Sequence, residues 1–347
     1  MSKTRICLLP KEGIENPYQV LMKRGLESGG YDVKYGSKVR FIDIIHTYFT
    51  KKPDWIHFDW PYIFYSVNLP SPFKWLLYFW FKLQLSLISR FTDCKFSQTL
   101  HNIHRHEVYH PKIDHKAQQL LFKHCKFIRV FHEGTIDKVK QKWPNAALDK
   151  FKVQPEGSYV GYYPNSIDRD AARKELGYTP EDFVILYLGS IRPYKGVDEL
   201  LEAFLETRKP HWKLIIAGYP YDKEYTEMIK ERSSVLDDVT MYIGHQPEEK
   251  LQYYFNASNV VASPFREIEN SGSVILAMGF KRAILAPRKG VLIKRLVEQY
   301  ELLYEDNIKE ALTSLHQMDR QVLNDIGQRN YEELEKHTWQ DFSKLFY

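Results

Sequence analysis

Two basic side chains, Arg192 and Lys195, stand in a short loop between a predicted strand and a predicted helix. The strand is the apolar run from Phe183 to Tyr187, which is typical of a strand buried on both faces. The helix is indicated by apolar residues at helical spacing from Val197 to Phe204. A helix start presents unpaired N–H groups and a positive dipole end, so two cations there suit a multiply charged anion such as a diphosphate. The alternative is an ordinary solvated loop.

A second turn of the same kind lies further along the chain. Small, hydrogen-bonding residues precede the apolar helical segment from Val274 to Met278; they are Asn270, Ser271, Gly272 and Ser273. Such residues at a helix start favour a second anion cradle. Glu267 and Glu269 stand just ahead of this turn.

Histidines are concentrated after another predicted strand, Cys94 to Leu100, in the segment that runs from His101 to Glu107. Neighbouring histidines in one loop do not easily reach a single ion and the cysteines are remote, so we predict no metal site. A purely structural role for the imidazoles is an alternative. We favour a site for sugar hydroxyls or phosphates, because imidazole donates hydrogen bonds and moves protons near neutral pH. The candidate general bases are His101, His104, Glu107 and Asp59.

The composition is that of an ordinary globular protein with room for two domains. The chain has 347 residues, of which 44% are hydrophobic and 27% charged, and its formal net charge is +5. The basic residues are dispersed and form no recognisable nucleic-acid module. Three cysteines without a CxxC pair argue against a disulfide framework. The first residues lack the long apolar core of a signal peptide, so we predict a cytoplasmic location.

The segment from Trp75 to Phe91 is the most apolar in the chain. Lys82 and Gln84 interrupt it, which excludes a transmembrane helix. Two interpretations remain: a helix packed between the sheet and its neighbours, or an interfacial helix in peripheral contact with a membrane. The exposure of Trp75, Phe79 and Trp80 decides between them.

Strand and helix patterns alternate along the whole chain, which predicts an α/β protein with parallel sheets. We expect a first domain over residues 1–160 and a second over 161–336. Ligands of such sheets bind at the carboxyl ends of the strands.

Two strings carry a resemblance to a known family. GSIRPYKGVDELLEAF resembles the phosphate-binding turn of family-4-like glycosyltransferases with the GT-B fold, and TLHNIHRHE resembles a loop that contacts the donor sugar. The resemblance implies that Arg192 and Lys195 grip the donor diphosphate and that His101, or else His104, contacts the sugar. It also implies that the loop with Gly244 and His245 lies against the nucleoside base.

One position departs from the family pattern. A glutamate on the helix that binds the donor ribose is missing, because apolar side chains occupy the possible registers: Ile275, Leu276 and Ala277. Glu267 or Glu269 can supply the other family glutamate. The Asn270–Ser273 turn looks closer to mannosyltransferases of exopolysaccharide assembly, which favours a GDP-mannose donor, with a UDP-sugar as the alternative.

The resemblance implies a metal-independent hexosyltransferase with two facing Rossmann-like domains and no cofactor beyond its nucleotide-sugar substrate. It also implies that a final helix in 337–347 crosses back to the first domain. The implied partners are a saccharide or lipid-linked acceptor and the inner face of the membrane, with no nucleic acid. Two other functions stay open: a nucleotide-sugar epimerase of the same fold and a catalytically inactive glycan-binding protein.

Overall fold

The chain forms two compact units. The computed structural model describes residues 3–11, 17–37, 41–66, 70–103, 110–296, 299 and 302–346. One unit, called unit 1 here, comprises Met1–Gly157 and His337–Tyr347, and the other, unit 2, comprises Ser158–Lys336.

Unit 1 alternates strands and helices, as its sequence pattern predicts. Its strands are β1 (Arg5–Leu9), β2 (Asp32–Tyr35), β3 (Trp55–Phe58), β4 (Lys95–Thr99), β5 (Cys125–Val130) and β6 (Phe151–Val153). Its α-helices are α1 (Pro17–Ser28), α2 (Asp43–Lys51), α3 (Ser71–Phe91), α4 (Pro111–His124) and α5 (Glu133–Lys142). Short 3₁₀ helices cover Pro61–Phe64, Leu148–Lys150 and Trp339–Leu345.

The sheet of unit 1 has six described strands, all parallel, in the order β2-β1-β3-β4-β5-β6. The order reverses direction between β1 and β3. In doubly wound sheets this switch point opens a crevice at the carboxyl ends of the two strands. The residues that follow β1 and β3 are therefore placed to line a site.

The 3₁₀ helix Trp339–Leu345 belongs to unit 1 although it lies at the end of the chain. It packs on α1, where Gly25 and Gly29 leave room for it: a Cβ on Gly25 would lie 2.5 Å from the Trp339 Cβ, and one on Gly29 would lie 2.3 Å from Ser343 Oγ. The predicted return of the terminal helix to the first domain is confirmed.

Unit 2 repeats the alternation. Its strands are β7 (Phe183–Leu188), β8 (Trp212–Gly218), β9 (Val239–Ile243), β10 (Val260–Ala262), β11 (Ala283–Pro287) and β12 (Leu303–Tyr304). Its α-helices are α6 (Arg169–Leu176), α7 (Val197–Thr207), α8 (Lys223–Ser233), α9 (Glu248–Ala257), α10 (Gly272–Gly279), α11 (Leu292–Arg295), α12 (Ile308–Ser314) and α13 (Arg320–Glu335). The 3₁₀ helices cover Pro193–Lys195 and Leu315–Gln317.

The described strands of unit 2 form a second parallel sheet in the order β12-β11-β10-β7-β8-β9. This is the doubly wound arrangement of dinucleotide-binding proteins, with its switch point between β7 and β10. β7 is buried along most of its length, as its continuous apolar run predicts. The α/β class and the two Rossmann-like sheets are confirmed.

Helix α3 packs on unit 1 with one face only. Tyr78, Phe81, Leu85 and Ile88 are buried against the core, whereas Phe79 is 55% exposed. None of the helices in the described part of the chain has the length and hydropathy that crossing a bilayer requires.

Candidate functional site

The basic loop, residues 189–196 between β7 and α7, leaves the sheet of unit 2 at its switch point. It carries Arg192 and then the single 3₁₀ turn Pro193–Lys195, which brings the chain directly into α7. Proline at the start of that turn fixes φ, and Gly196 ends the turn with φ +68°. Both predicted cations are thus held on a rigid connection at the place where doubly wound sheets bind ligands.

Arg192 stacks on an aromatic ring, and among the described residues no carboxylate makes an ion pair with it. Its guanidinium carbon lies 3.2 Å from the centre of the Tyr221 ring. Its Nε is buried and lacks a hydrogen-bond partner among the described residues. A cation–π contact holds the planar group in place but leaves its N–H donors for another acceptor.

Lys195 is similarly held by rings. Its Nζ lies 4.3 Å from the centre of the Phe265 ring and 5.4 Å from that of Tyr194. Burial, together with the positive charge of Arg192, lowers the pKa of Lys195 to about 8. A desolvated ammonium beside a second cation is costly unless an anion joins it. The pair therefore forms a site that favours a bound anion.

Carboxylates do stand nearby on α7, but another arginine holds them. Arg266 makes ion pairs with Asp198 at 2.9 Å and with Glu199 at 2.7 Å, and its guanidinium also donates to the Pro193 carbonyl. Tyr225 donates a hydrogen bond of 2.6 Å to Asp198. These contacts occupy both carboxylates and fix the basic loop at the same time.

The turn after β10 is built directly against the basic loop. The backbone N–H of Arg266 donates to the Tyr194 carbonyl at 3.0 Å. A Cβ on Gly196 would lie 2.1 Å from the Pro264 carbonyl oxygen. Because β7 and β10 are neighbours in the sheet, both loops leave the same edge of unit 2.

Helix α10 begins at the Asn270–Ser273 turn, as the sequence predicts. Ser271 caps it by accepting a 3.4 Å hydrogen bond from the Val274 N–H, and the Ser271 and Ser273 hydroxyl oxygens are 3.0 Å apart. A Cβ on Gly272 would lie 3.3 Å from the Tyr159 hydroxyl. The turn is tight and rich in hydroxyl groups.

The carboxylates of this region lie ahead of α10 and not on it. Glu267 is exposed and Glu269 is half-buried. On the helix itself, Ile275, Leu276 and Ala277 are all buried. The helix therefore offers no carboxylate to a ribose at these positions.

The predicted base-binding loop follows β9. Gly244 has φ +126°, no described atom lies within 4 Å of the point that a Cβ would occupy there, and His245 is exposed. Gln246 holds this loop by donating to the carbonyls of Tyr242 at 2.8 Å and Gly244 at 3.0 Å. These hydrogen bonds hold the backbone of the loop in place, while Gly244 and His245 remain accessible on its outer side.

A second group of polar side chains lies at the switch point of unit 1. Asp59, directly after β3, is 2% exposed. Its Oδ1 lies 3.4 Å from the Nε2 of His101, and its Oδ2 accepts a 3.0 Å hydrogen bond from Gln19 on α1. Two of the predicted catalytic residues are thus adjacent to each other.

The carboxylate of Asp59 is held in its ionised form. Burial raises its pKa, but the hydrogen bonds from His101 and His57 outweigh burial and bring the pKa well below the ordinary value. His57 itself is fully buried, and its ring nitrogens lie 2.9 Å from the hydroxyls of Ser97 and Thr99. Burial lowers the pKa of His57 and so favours the neutral ring.

Aromatic rings fix the orientation of His101. Trp60 stacks on it with 4.6 Å between ring centres, and Tyr18 meets it edge-on at 5.0 Å. The Tyr18 hydroxyl accepts a 3.0 Å hydrogen bond from Arg129, which is fully buried. His101 keeps a small exposed fraction, 14% of its side chain, so one edge of the ring can meet a ligand.

The other two predicted catalytic residues, His104 and Glu107, lie outside the described residues. Within the described ranges, no three His, Cys, Asp or Glu side chains lie close enough together to ligate a metal ion.

Several residues of these sites escape a sequence-based search. Tyr221 and Arg266 contact the basic loop from neighbouring connections, and Gln19 reaches Asp59 from α1. The sequence did contain one indication of such a contact. Arg129 interrupts the apolar run of β5, and an arginine in a buried strand needs polar partners.

The whole chain resembles solved structures of one class. The structure of Anabaena Alr3699/HepE in complex with UDP and glucose superposes with a TM-score of 0.74 over 99% of this chain and 98% of that one, at 14% sequence identity. Sucrose-phosphate synthase from Thermosynechococcus elongatus gives a TM-score of 0.75 over 99% and 97%, at 15% identity. The fold is the GT-B fold of glycosyltransferases.

The sequence of unit 2 matches a known family model. Residues 168–331 match the family "Glycosyl transferases group 1". Both sheet loops with the predicted donor residues lie inside the matched range.

A curated relative is similar to part of this chain. The GDP-mannose:glycolipid 4-beta-D-mannosyltransferase of Xanthomonas campestris pv. campestris is 27% identical over a stretch that covers 38% of this chain and 38% of the relative's length. The chain spans less than half the length of this relative.

Proposed function

We propose that this protein is a glycosyltransferase that moves a sugar from a nucleoside-diphosphate sugar to a saccharide or lipid-linked saccharide. The observation that carries the proposal is the pair of cations in unit 2. Arg192 and Lys195 are held by aromatic rings, partly removed from water and adjacent to carboxylates that Arg266 already occupies. An anion with several charges, such as a diphosphate, is the ligand that this arrangement favours.

The proposed role of the cations follows from the place where negative charge develops during sugar transfer. As the bond between the sugar and the diphosphate breaks, negative charge grows on the departing nucleoside diphosphate. Arg192 and Lys195 stabilise that charge, and the hydroxyl-rich start of α10 adds hydrogen-bond donors at Ser271 and Ser273. In this proposal the protein's own cations do this work without a metal ion or other cofactor.

Unit 1 offers a candidate for proton transfer. If the reaction inverts the anomeric centre, a base must take the proton of the acceptor hydroxyl. The ionised Asp59 accepts from Nε2 of His101, which leaves Nδ1 of that ring as the base. In a retaining reaction the same pair would bind sugar hydroxyls instead.

For the donor we favour GDP-mannose, with a UDP-sugar as the alternative. The Xanthomonas relative, named as a GDP-mannose-dependent enzyme, supports the first choice. Anabaena HepE, solved with UDP, supports the second. The apolar residues Ile275, Leu276 and Ala277 leave the ribose to be held elsewhere, and the open backbone at Gly244 is our candidate for base contact.

For the acceptor we favour a lipid-linked saccharide of exopolysaccharide or glycoconjugate synthesis. The Xanthomonas relative acts on a glycolipid by its name. We accordingly propose that the protein works in the cytoplasm at the face of the membrane.

The second candidate function is a glycan-binding protein without catalytic activity. The observation that favours it is the missing carboxylate on α10, where the structure has buried apolar side chains. Donor hydrolysis or transfer, measured across a panel of nucleotide sugars, separates the two functions. An epimerase would instead convert the donor sugar without any acceptor.

The first experiment is a thermal-shift screen of the full chain with GDP, UDP and ADP, with their nucleotide sugars and with the free nucleosides. A nucleotide at 100 times its Kd stabilises a protein by about 2.7 kcal/mol, which is readily measured. We expect one nucleoside diphosphate to raise the melting temperature and the free nucleoside to have little effect. If no nucleotide in the panel does so, the proposed function is wrong.

A further inference from the structure

Helix α3 exposes a continuous apolar face that the packing of unit 1 does not use. The helix has 21 residues, and its buried side carries Tyr78, Phe81, Leu85 and Ile88. On the other side, large apolar side chains are between 37% and 73% exposed: Phe73, Leu76, Phe79, Leu83, Leu87 and Phe91. Scattered exposed apolar residues are ordinary, but six on one helix mark an interaction surface.

These side chains share one side of the helix. At about 100° per residue, the six positions fall within an arc of about 120°. The arc runs through Leu76, Phe79, Leu83 and Leu87, one turn after another, so the apolar surface extends along the whole helix. At 1.5 Å per residue this is a strip of about 30 Å.

A neighbouring segment widens the strip. Trp80 Nε1 donates a 2.7 Å hydrogen bond to the Phe41 carbonyl, and Gln84 donates to the same oxygen at 3.0 Å. Phe41 and Ile42 are themselves 37% and 40% exposed. The start of α2 is therefore fixed beside α3 and adds two apolar side chains to the surface.

The charges of α3 indicate what covers this surface. The helix contains Lys74, Lys82 and Arg90 and no acidic residue. Arg90 falls within the apolar arc and Lys82 lies beside it. Two copies of the helix face to face would bring like charges together, whereas an anionic surface would complement them.

We propose that the apolar face of α3, with Phe41 and Ile42, binds the surface of a bilayer that contains anionic lipids. The helix lies in the interface with its phenylalanine and leucine side chains among the acyl chains, and Lys82 and Arg90 contact the lipid phosphates. The helix lies along the bilayer without crossing it, since its other face belongs to the core of unit 1.

The apolar face of α3 is a structural feature that depends on no function. Its role in bringing the enzyme to a lipid-linked acceptor rests on the proposed function. If the acceptor is lipid-linked, docking through α3 holds the enzyme at the bilayer where the acceptor resides. Membrane binding and nucleotide binding are measured separately, so either proposal can fail without the other.

The test is co-sedimentation of the full chain with vesicles of phosphatidylcholine alone and of phosphatidylcholine with phosphatidylglycerol. We expect binding to the anionic vesicles that weakens as salt rises, and little binding to the neutral ones. The double variant Phe79→Glu/Leu83→Glu should reduce binding at least about tenfold, because it places two charges in the apolar strip. Lys82→Glu/Arg90→Glu should reduce binding to anionic vesicles only.

The matched control is Val235→Glu/Val322→Glu, which changes two exposed valines of unit 2 and should leave vesicle binding unchanged. A circular dichroism spectrum and a melting temperature equal to those of the wild type show that each variant is folded. Equal binding to neutral and anionic vesicles, or unchanged binding of Phe79→Glu/Leu83→Glu, would overturn the proposal. So would a wild-type dimer that this variant makes monomeric, because a second copy would then cover the face.

Discussion

The carbonyl oxygen of Pro264 lies against the backbone of Gly196, at the place where a Cβ would come within 2.1 Å of it. Gly196 ends the basic loop after β7, and Pro264 begins the turn after β10. The two connections at the switch point of unit 2 thus fit together only because one residue has no side chain. The position of Lys195, the residue before Gly196, depends on this fit.

Gly196→Ala should destabilise unit 2 and weaken nucleotide binding. The left-handed φ of +68° costs a side chain about 1–2 kcal/mol, and the clash with Pro264 adds to that. The control is Gly177→Ala. Gly177 has φ +78°, and apart from its chain neighbours no described atom lies within 4 Å of the point that a Cβ would occupy there. Chemical unfolding should show a clearly larger loss for Gly196→Ala. Equal losses would mean that the close approach to Pro264 is unimportant.

Removing either cation of the basic loop should weaken the donor complex. We expect Arg192→Ala and Lys195→Ala to raise the Kd for a nucleoside diphosphate at least about tenfold and to lower turnover by about 10² or more. Lys230→Ala is the control, because Lys230 pairs with Glu227 on the surface. Calorimetric titration and a transfer assay measure the two effects. Normal turnover in both variants would refute the roles assigned to them.

Donor binding should take up protons near pH 8. Burial and Arg192 lower the pKa of Lys195 to about 8, so part of the free protein carries a neutral amine at that pH. A bound diphosphate favours the ammonium and raises the pKa, so affinity should fall as pH rises above about 8. Titrations in two buffers of different ionisation enthalpy detect this uptake. Lys195→Arg, which stays charged, should abolish it; a wild type without uptake contradicts the prediction.

Arg266→Ala should weaken nucleotide binding although Arg266 is not proposed to touch the donor. Its loss leaves Asp198 and Glu199 without their cation beside the basic loop and removes the contact with the Pro193 carbonyl. We expect a rise in Kd of about threefold to tenfold, since exposed ion pairs are individually weak. Adding Glu199→Gln should restore part of the affinity. No recovery would indicate that the loop contact, and not the charge, is what matters.

Asp59→Asn should lower the rate of transfer while leaving donor affinity unchanged. The neutral amide is a weaker acceptor for Nε2 of His101 than the ionised carboxylate, so the proton is no longer held on Nε2 with Nδ1 left as the base. We expect a loss of about 10²-fold in kcat, which is the usual scale for positioned acid–base groups. Asp93→Asn, at an exposed carboxylate of the same unit, is the control. A fall in nucleotide affinity of the same size would place Asp59 in another role.

Much of the architecture could be predicted from local patterns, because strands and helices follow from apolar periodicity along the chain. The buried run at Phe183 and the helical spacing after Val197 are examples. The order of the strands within each sheet could not be predicted in this way, because it depends on which face of the sheet each connecting helix covers. The short strand β12, with two residues, carries too little pattern to be recognised.

The candidate sites could be predicted only in part, for a related reason. Arg192 and Lys195 are adjacent to a strand end, so sequence alone places them. Tyr221 and Arg266 reach the same loop from other connections of the sheet, and such contacts become visible only when the strands are assembled. His57 lies within β3, and its partners Ser97 and Thr99 lie on the neighbouring strand β4, so these contacts also appear only when the strands are paired.

The central claim is that the cations of unit 2 bind a diphosphate. Its most direct test compares the affinity of the wild type and of Lys195→Ala for a nucleoside diphosphate and for the corresponding nucleoside. We expect the wild type to bind the diphosphate far more tightly, and Lys195→Ala to lose most of that difference while its affinity for the nucleoside is unchanged. A wild type that binds both ligands equally well, or a variant that keeps the full difference, would contradict the account.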